Sequence, residues 1–78
     1  MNKIIKEKLD NIIREVLGVK IVNDLSMETV SGWDSLRHIQ LMAKIEKDFK
    51  IELDFKDTLA MTDLNSIRNI LEKYVGKK

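Results

Sequence analysis

The sequence has no cysteine and no proline, three glycines, and an aromatic content of only 5%. Without cysteine there is no disulfide framework, no thiolate nucleophile and no thiolate metal site. No apolar run approaches the length of a membrane span, and the polar Asn2-Lys3 start does not read as a signal peptide. The expectation is a soluble, cytoplasmic protein. Charge of one sign is also missing: 14 Lys plus Arg stand against 13 Asp plus Glu, which argues against a nucleic-acid footprint. No repeat or low-complexity segment divides the 78 residues, so residues 1–78 read as one small domain. A chain near this size buries only about 60% of its unfolded surface, enough for a compact bundle but not for a deep enclosed active site.

What remains is helical patterning. Ile4, Ile5, Leu9, Ile12, Ile13, Val16 and Leu17 recur at helical spacing, with Lys3, Lys6, Glu7, Asp10 and Arg14 on the other side. The spacing predicts a helix from Asn2 to about Leu17, closed by Gly18 in a left-handed conformation. A long connection, Val19 to Trp33, carries Ile21, Val22, Leu25, Met27 and Val30. A loop of this length in a small domain packs down or has a function. Its apolar residues read as plugs over a bundle, with one short helical turn near Ser26 to Thr29. A second helix starts after Asp34 as N-cap and runs to about Lys50. Ile51 to Phe55 reads as a turn with inward-facing apolar residues, and a short third helix covers about Lys56 to Ala60. Thr62 caps a last helix from Asp63, whose stripe is Leu64, Ile67, Ile70, Leu71, Tyr74 and Val75. Gly76 closes it, and Lys77-Lys78 form a frayed end. The expected fold is all-α, a four-helix bundle with three long helices, one short helix and a long first loop.

The second helix has one apolar face more than a bundle needs. At about 100° per residue, His38, Leu41, Met42, Ile45 and Phe49 share one side, while Leu36, Ile39 and Ala43 fall opposite. The second stripe invites a partner, a ligand or a neighbouring loop. It begins immediately after Ser35, at the end of the helix whose unpaired N–H groups favour a phosphate.

Gly32-Trp33-Asp34-Ser35-Leu36, continuing into Ile45-Glu46-Lys47-Asp48-Phe49-Lys50-Ile51-Glu52, resembles the prosthetic-group region of acyl carrier proteins, and the likeness extends more weakly over nearly the whole chain. The resemblance implies that Ser35 carries 4′-phosphopantetheine, derived from coenzyme A and attached by a phosphopantetheinyl transferase with magnesium. It implies a monomeric carrier, not an enzyme, that holds acyl or aminoacyl groups as thioesters and presents them to a loading enzyme and to downstream transferases or synthases. The sulfur that the cysteine-free chain lacks then comes from the arm. The implied partner surface is Asp34, Leu36, Arg37, Ile39, Ala43 and Lys44, with Asp34 in a recognition or metal-proximal role for the transferase besides capping.

Many fatty-acid carriers are strongly acidic along the second helix. Here Asp34, Glu46 and Asp48 stand against Arg37, Lys44, Lys47 and Lys50, and Arg37 and Lys44 flank the partner-facing stripe. The Trp-Asp-Ser-Leu form is reminiscent of discrete carriers in polyketide, nonribosomal-peptide or glycan-modifying systems, so a dedicated carrier of a specialised pathway is expected. Other readings are weaker. His38 shares a helix side with Ser35, but it falls on the core stripe with no carboxylate to orient it as a base, and reads as a satisfied, partly buried histidine. Trp33 reads as an anchor for the end of the loop. Asp54, Asp57 and Asp63 lack the alternating ligand pattern and closing glutamate of a calcium loop. A small helical interaction module with no prosthetic group is the alternative function. A helix-turn-helix is disfavoured by the long connection and by the absence of a one-sided basic stripe.

Overall fold

A computed structural model describes residues 2–75, and Met1 and the expected Gly76 closure with Lys77-Lys78 lie outside them. Four helices form: α1 (Lys3–Leu17), α2 (Ser35–Phe49), α3 (Phe55–Ala60) and α4 (Leu64–Val75). Among the described residues there is no strand, only an isolated antiparallel bridge between Ser26 and Asp63.

Each helix end has a local cause. Asn2 Oδ1 accepts from the Ile4 N–H at 2.7 Å to start α1, and Gly18 ends it at φ 66°, its N–H donating to Arg14 O. Asp34 Oδ1 accepts from the Arg37 N–H at 2.9 Å to start α2. Lys50 ends α2 in the left-handed conformation, φ 57°, without being glycine. The cap of α4 is Asp63 rather than Thr62. Its Oδ1 accepts from the Ser66 N–H at 2.7 Å, and a carboxylate at that position satisfies a first-turn donor that the preceding threonine does not reach.

The core gathers Leu9, Ile12, Ile13, Val16 and Leu17 from α1, Leu41, Met42 and Ile45 from α2, and Leu64, Ile67 and Leu71 from α4. Leu25 and Trp33 enter it from the long loop, and Met61 from the residue that ends α3. Apolar spacing outruns burial in four places. Ile4 is exposed, because the stripe of α1 becomes fully buried only from Leu9 onward. Phe49 is half-buried at the core's edge, with the Lys8 ammonium 5.1 Å from its ring centre. Val22 is exposed on the loop, and Phe55, expected to face inward, is 76% exposed at the start of α3.

The loop is tied down at its middle. Met27 N–H donates to Thr62 O and Leu64 N–H to Leu25 O, at 3.0 and 2.9 Å. The turn at Ser26–Thr29 forms, closed by the Val30 N–H on Ser26 O at 2.9 Å and by the Thr29 hydroxyl accepting from the Ser26 N–H. An Arg68–Asp10 ion pair at 3.5 Å joins α4 to α1.

Candidate functional site: the start of α2 and the groove beside it

Ser35 is the first residue of α2 and is exposed. Two anchors set its position. On one side, Trp33 is buried in the core and its backbone N–H donates to Val30 O at 3.0 Å. On the other, Asp34 takes the Arg37 N–H on its carboxylate and the His38 N–H on its carbonyl at 2.8 Å. The first-turn N–H groups of Ser35 and Leu36 are left for a phosphate, at the positive end of the helix dipole. Nothing among the described residues ties the Ser35 hydroxyl. An exposed, untied hydroxyl at an open helix N-terminus fits a phosphodiester, and only Ser35 in the expected site has that combination.

From Ser35 a groove of about 580 Å³ runs along α2, between it and the 53–59 segment. Ile39, Met42 and Ala43 form its α2 wall, Leu53, Phe55 and Leu59 the opposite wall, and Met27 and Thr62 close one side. Glu46 stands at the far end, its Oε2 accepting the Leu53 N–H at 2.8 Å. The second stripe of α2 is therefore covered neither by the loop nor by α3. Leu36 and Ile39 remain 62% and 65% exposed, and Phe55 and Leu59 add 76% and 60% across the gap.

The structure separates the other expected residues. Asp34, Leu36, Ile39 and Ala43 stand exposed around Ser35. Arg37 and Lys44, expected to flank the stripe toward a partner, turn to α1. The Arg37 guanidinium donates to Val16 O at 2.5 Å, where the last carbonyls of α1 lack helical partners. Lys44 pairs with Glu15 at 3.4 Å and Asp48 at 3.3 Å, and the bond to Asp48, then that to Glu15, raises its pKa above the ordinary lysine value.

His38 is half-buried beside the groove. The Trp33 indole Nε1–H can only donate, so His38 Nδ1, 3.1 Å away, is the acceptor and the ring is neutral. The proton on Nε2 is then donated to Thr58 O at 2.7 Å. Sequence reasoning treats Trp33 and His38 separately as an anchor and a satisfied core residue. The pair was legible in one respect: a buried indole needs an acceptor, and this chain has a single tryptophan and a single histidine, five residues apart. The groove wall from α3 had no such signal, because Leu53, Phe55 and Leu59 show no amphipathic run.

A helical bundle with an exposed serine at a helix start and an apolar groove beside it fits a carrier class. The family model described as "Phosphopantetheine attachment site" matches residues 7–73. The acyl carrier protein of Buchnera aphidicola subsp. Baizongia pistaciae is 32% identical over 74 residues, covering 91% of this chain and 95% of that protein. A solved chain from Mycobacterium tuberculosis, described as a candidate acyl carrier protein, superposes with a TM-score of 0.78 at 21% identity, over 88% of this chain and 96% of that one, and shares the fold. The chain belongs to the acyl carrier protein family, whose members are carriers rather than enzymes and bear a covalently attached 4′-phosphopantetheine.

Proposed function

We propose that residues 1–78 form a single, monomeric, cytoplasmic carrier domain that holds acyl intermediates on a 4′-phosphopantetheine arm at Ser35 and presents them to partner enzymes. The observation that carries this reading is the exposed Ser35 hydroxyl opening directly onto an apolar groove. The arm supplies the thiol that the chain itself lacks. The chain's own part is to position that arm: Asp34 fixes the first turn, the open N–H groups of Ser35 and Leu36 would receive its phosphate, and Ile39, Met42 and Ala43 would line the groove beyond it. Leu36, Ile39 and Ala43 are the surface that a phosphopantetheinyl transferase, a loading enzyme and downstream synthases would meet, with Asp34 at its edge. Arg37 and Lys44 border that surface while serving the fold. The apolar lining favours an acyl cargo over an aminoacyl one, whose ammonium loses solvation among aliphatic walls.

The charge of α2 favours a specialised pathway. Between Ser35 and Phe49, Arg37, Lys44 and Lys47 face Glu46 and Asp48, whereas a partner built for an acidic carrier presents cations, and like charges opposed across an interface penalise the complex.

Incubating the chain with coenzyme A, magnesium and a broad-specificity transferase, followed by intact-mass measurement, tests the attachment. Wild type is expected to gain one phosphopantetheine and Ser35→Ala none, with the variant's stability within about 0.5 kcal/mol of wild type. No gain in wild type, or an equal gain in the variant, overturns the reading. The loaded protein is then expected to accept malonyl poorly from a fatty-acid-type transacylase. Efficient transfer would remove the specialised-pathway part alone.

A further inference from the structure

α3 is the weakest-anchored helix of the bundle: none of its residues is buried. Among the described residues, the hydrogen bond that joins it to α2 runs from His38 Nε2 to Thr58 O at 2.7 Å. The same ring accepts the Trp33 indole proton at 3.1 Å, two residues ahead of Ser35, with the two ring centres 6.0 Å apart. One neutral imidazole thus spans three elements: the loop that fixes Ser35, the helix that begins there, and the helix that forms the opposite wall of the groove.

We propose that His38 is a positioning residue that sets the width of the groove beside Ser35 by pinning α3, through Thr58 O, to the buried Trp33. The direction of the two bonds makes the pin specific. An aliphatic side chain fills the space but leaves the buried indole donor without an acceptor and Thr58 O with only the Met61 N–H at 3.3 Å, and a buried unsatisfied donor costs more than a bond gains. Glutamine carries one acceptor oxygen and an amide donor, so it can serve both ends. Only the meaning of the groove rests on the carrier reading; the pin itself is measurable without any cargo.

The test uses the full 15N-labelled chain. In His38→Leu, amide hydrogen exchange across residues 55–60 is expected to speed up roughly tenfold relative to the core amides of α1. The single Trp33 indole resonance moves toward its solvent-exposed position, and both effects reverse in His38→Gln. Trp33→Phe, which keeps an aromatic ring but removes the donor together with part of the indole's buried volume, is expected to loosen α3 in the same sense while the α1 core amides serve as the control for the lost volume. Equal acceleration of α1 and α3, no acceleration at all, or no recovery with glutamine overturns the pin. Should His38→Leu not fold, Trp33→Phe decides: unchanged α3 exchange overturns it. In a second arm, acetyl and octanoyl groups are loaded on the Ser35 arm and released with hydroxylamine. Octanoyl release is expected to be the slower in wild type and the difference to vanish in His38→Leu. If the pin holds in exchange but wild type shows no chain-length difference, the groove as cargo site fails and the pin stands. If nothing attaches at Ser35, the carrier reading fails instead.

Discussion

α1 and α3 both meet α2, and they do so by opposite means. α1 buries Leu9, Ile12, Ile13, Val16 and Leu17 in the shared core and adds the Lys44–Glu15 pair and the Arg37–Val16 bond at its edge. α3 buries nothing and hangs on hydrogen bonds: His38 holds Thr58 O, and the Tyr74 hydroxyl of α4 donates to Asp57 while accepting the Asp54 N–H at 3.1 Å. Apolar burial is non-directional and scales with area, so α1 cannot leave without undoing the domain. A helix held by a few directional bonds can shift at small cost without disturbing the core. The rigid side of α2 carries the fold and the loose side carries the groove.

Like-for-like truncations give the largest contrast. Ile13→Ala in α1 removes a fully buried side chain and is expected to destabilise by about 2–5 kcal/mol. Leu59→Ala in α3, at a 60% exposed position, should stay within about 0.5 kcal/mol. Denaturant unfolding of the two variants measures this, and equal losses would erase the distinction between the helices.

An intermediate effect comes from alkali. The bond to Asp57 raises the Tyr74 pKa, because a phenol donating to a carboxylate resists ionisation. A raised folded pKa means that this contribution is complete below the ordinary tyrosine value of about 10 and is lost as pH rises through the raised one. Absorbance of the single tyrosine at the phenolate band should therefore titrate above the ordinary value in wild type and lower in Asp57→Asn. A tyrosine that titrates normally and ignores Asp57 would leave α3 with one pin.

The smallest effect on stability is expected at the exposed stripe. Leu36→Ala and Ile39→Ala should leave the unfolding midpoint nearly unchanged, within about 0.5 kcal/mol, yet lower transferase kcat/KM severalfold. A variant here that unfolds as readily as Ile13→Ala would make the stripe part of the core.

Legibility in the sequence follows the same division. The long amphipathic helices announce themselves because one buried face forces a 3.6-residue period; α1, α2 and α4 fall within a residue or two of the expected bounds. Ser35 stands out in the sequence by its motif and the cap before it, and the structure places it exposed as the first residue of α2. Periodicity does not say how far burial reaches, so Ile4, Val22 and Phe55 read as inward and are exposed. The short segments around α3 carry no period at all, and Met61, completely buried, went unmarked for that reason. Long-range polar contacts were the least visible. Tyr74 to Asp57 and Arg37 to Val16 O depend on how helices distant in sequence are set against each other, which no local spacing encodes.

Arg37 and Lys44 have a consequence for how this carrier could diverge. They are two of the three cations of α2, and both are spent on α1, one closing its carbonyl end and the other bridging Glu15 and Asp48. Charge on this helix is therefore not a free variable under selection. A lineage drifting toward an acidic recognition helix would have to replace those tethers as it went, whereas Lys47, exposed and outside them, is open to change. The sign of this helix's charge is in this way written partly into the scaffold, and a reversal of it would pass through neighbouring positions on α1 before it was complete.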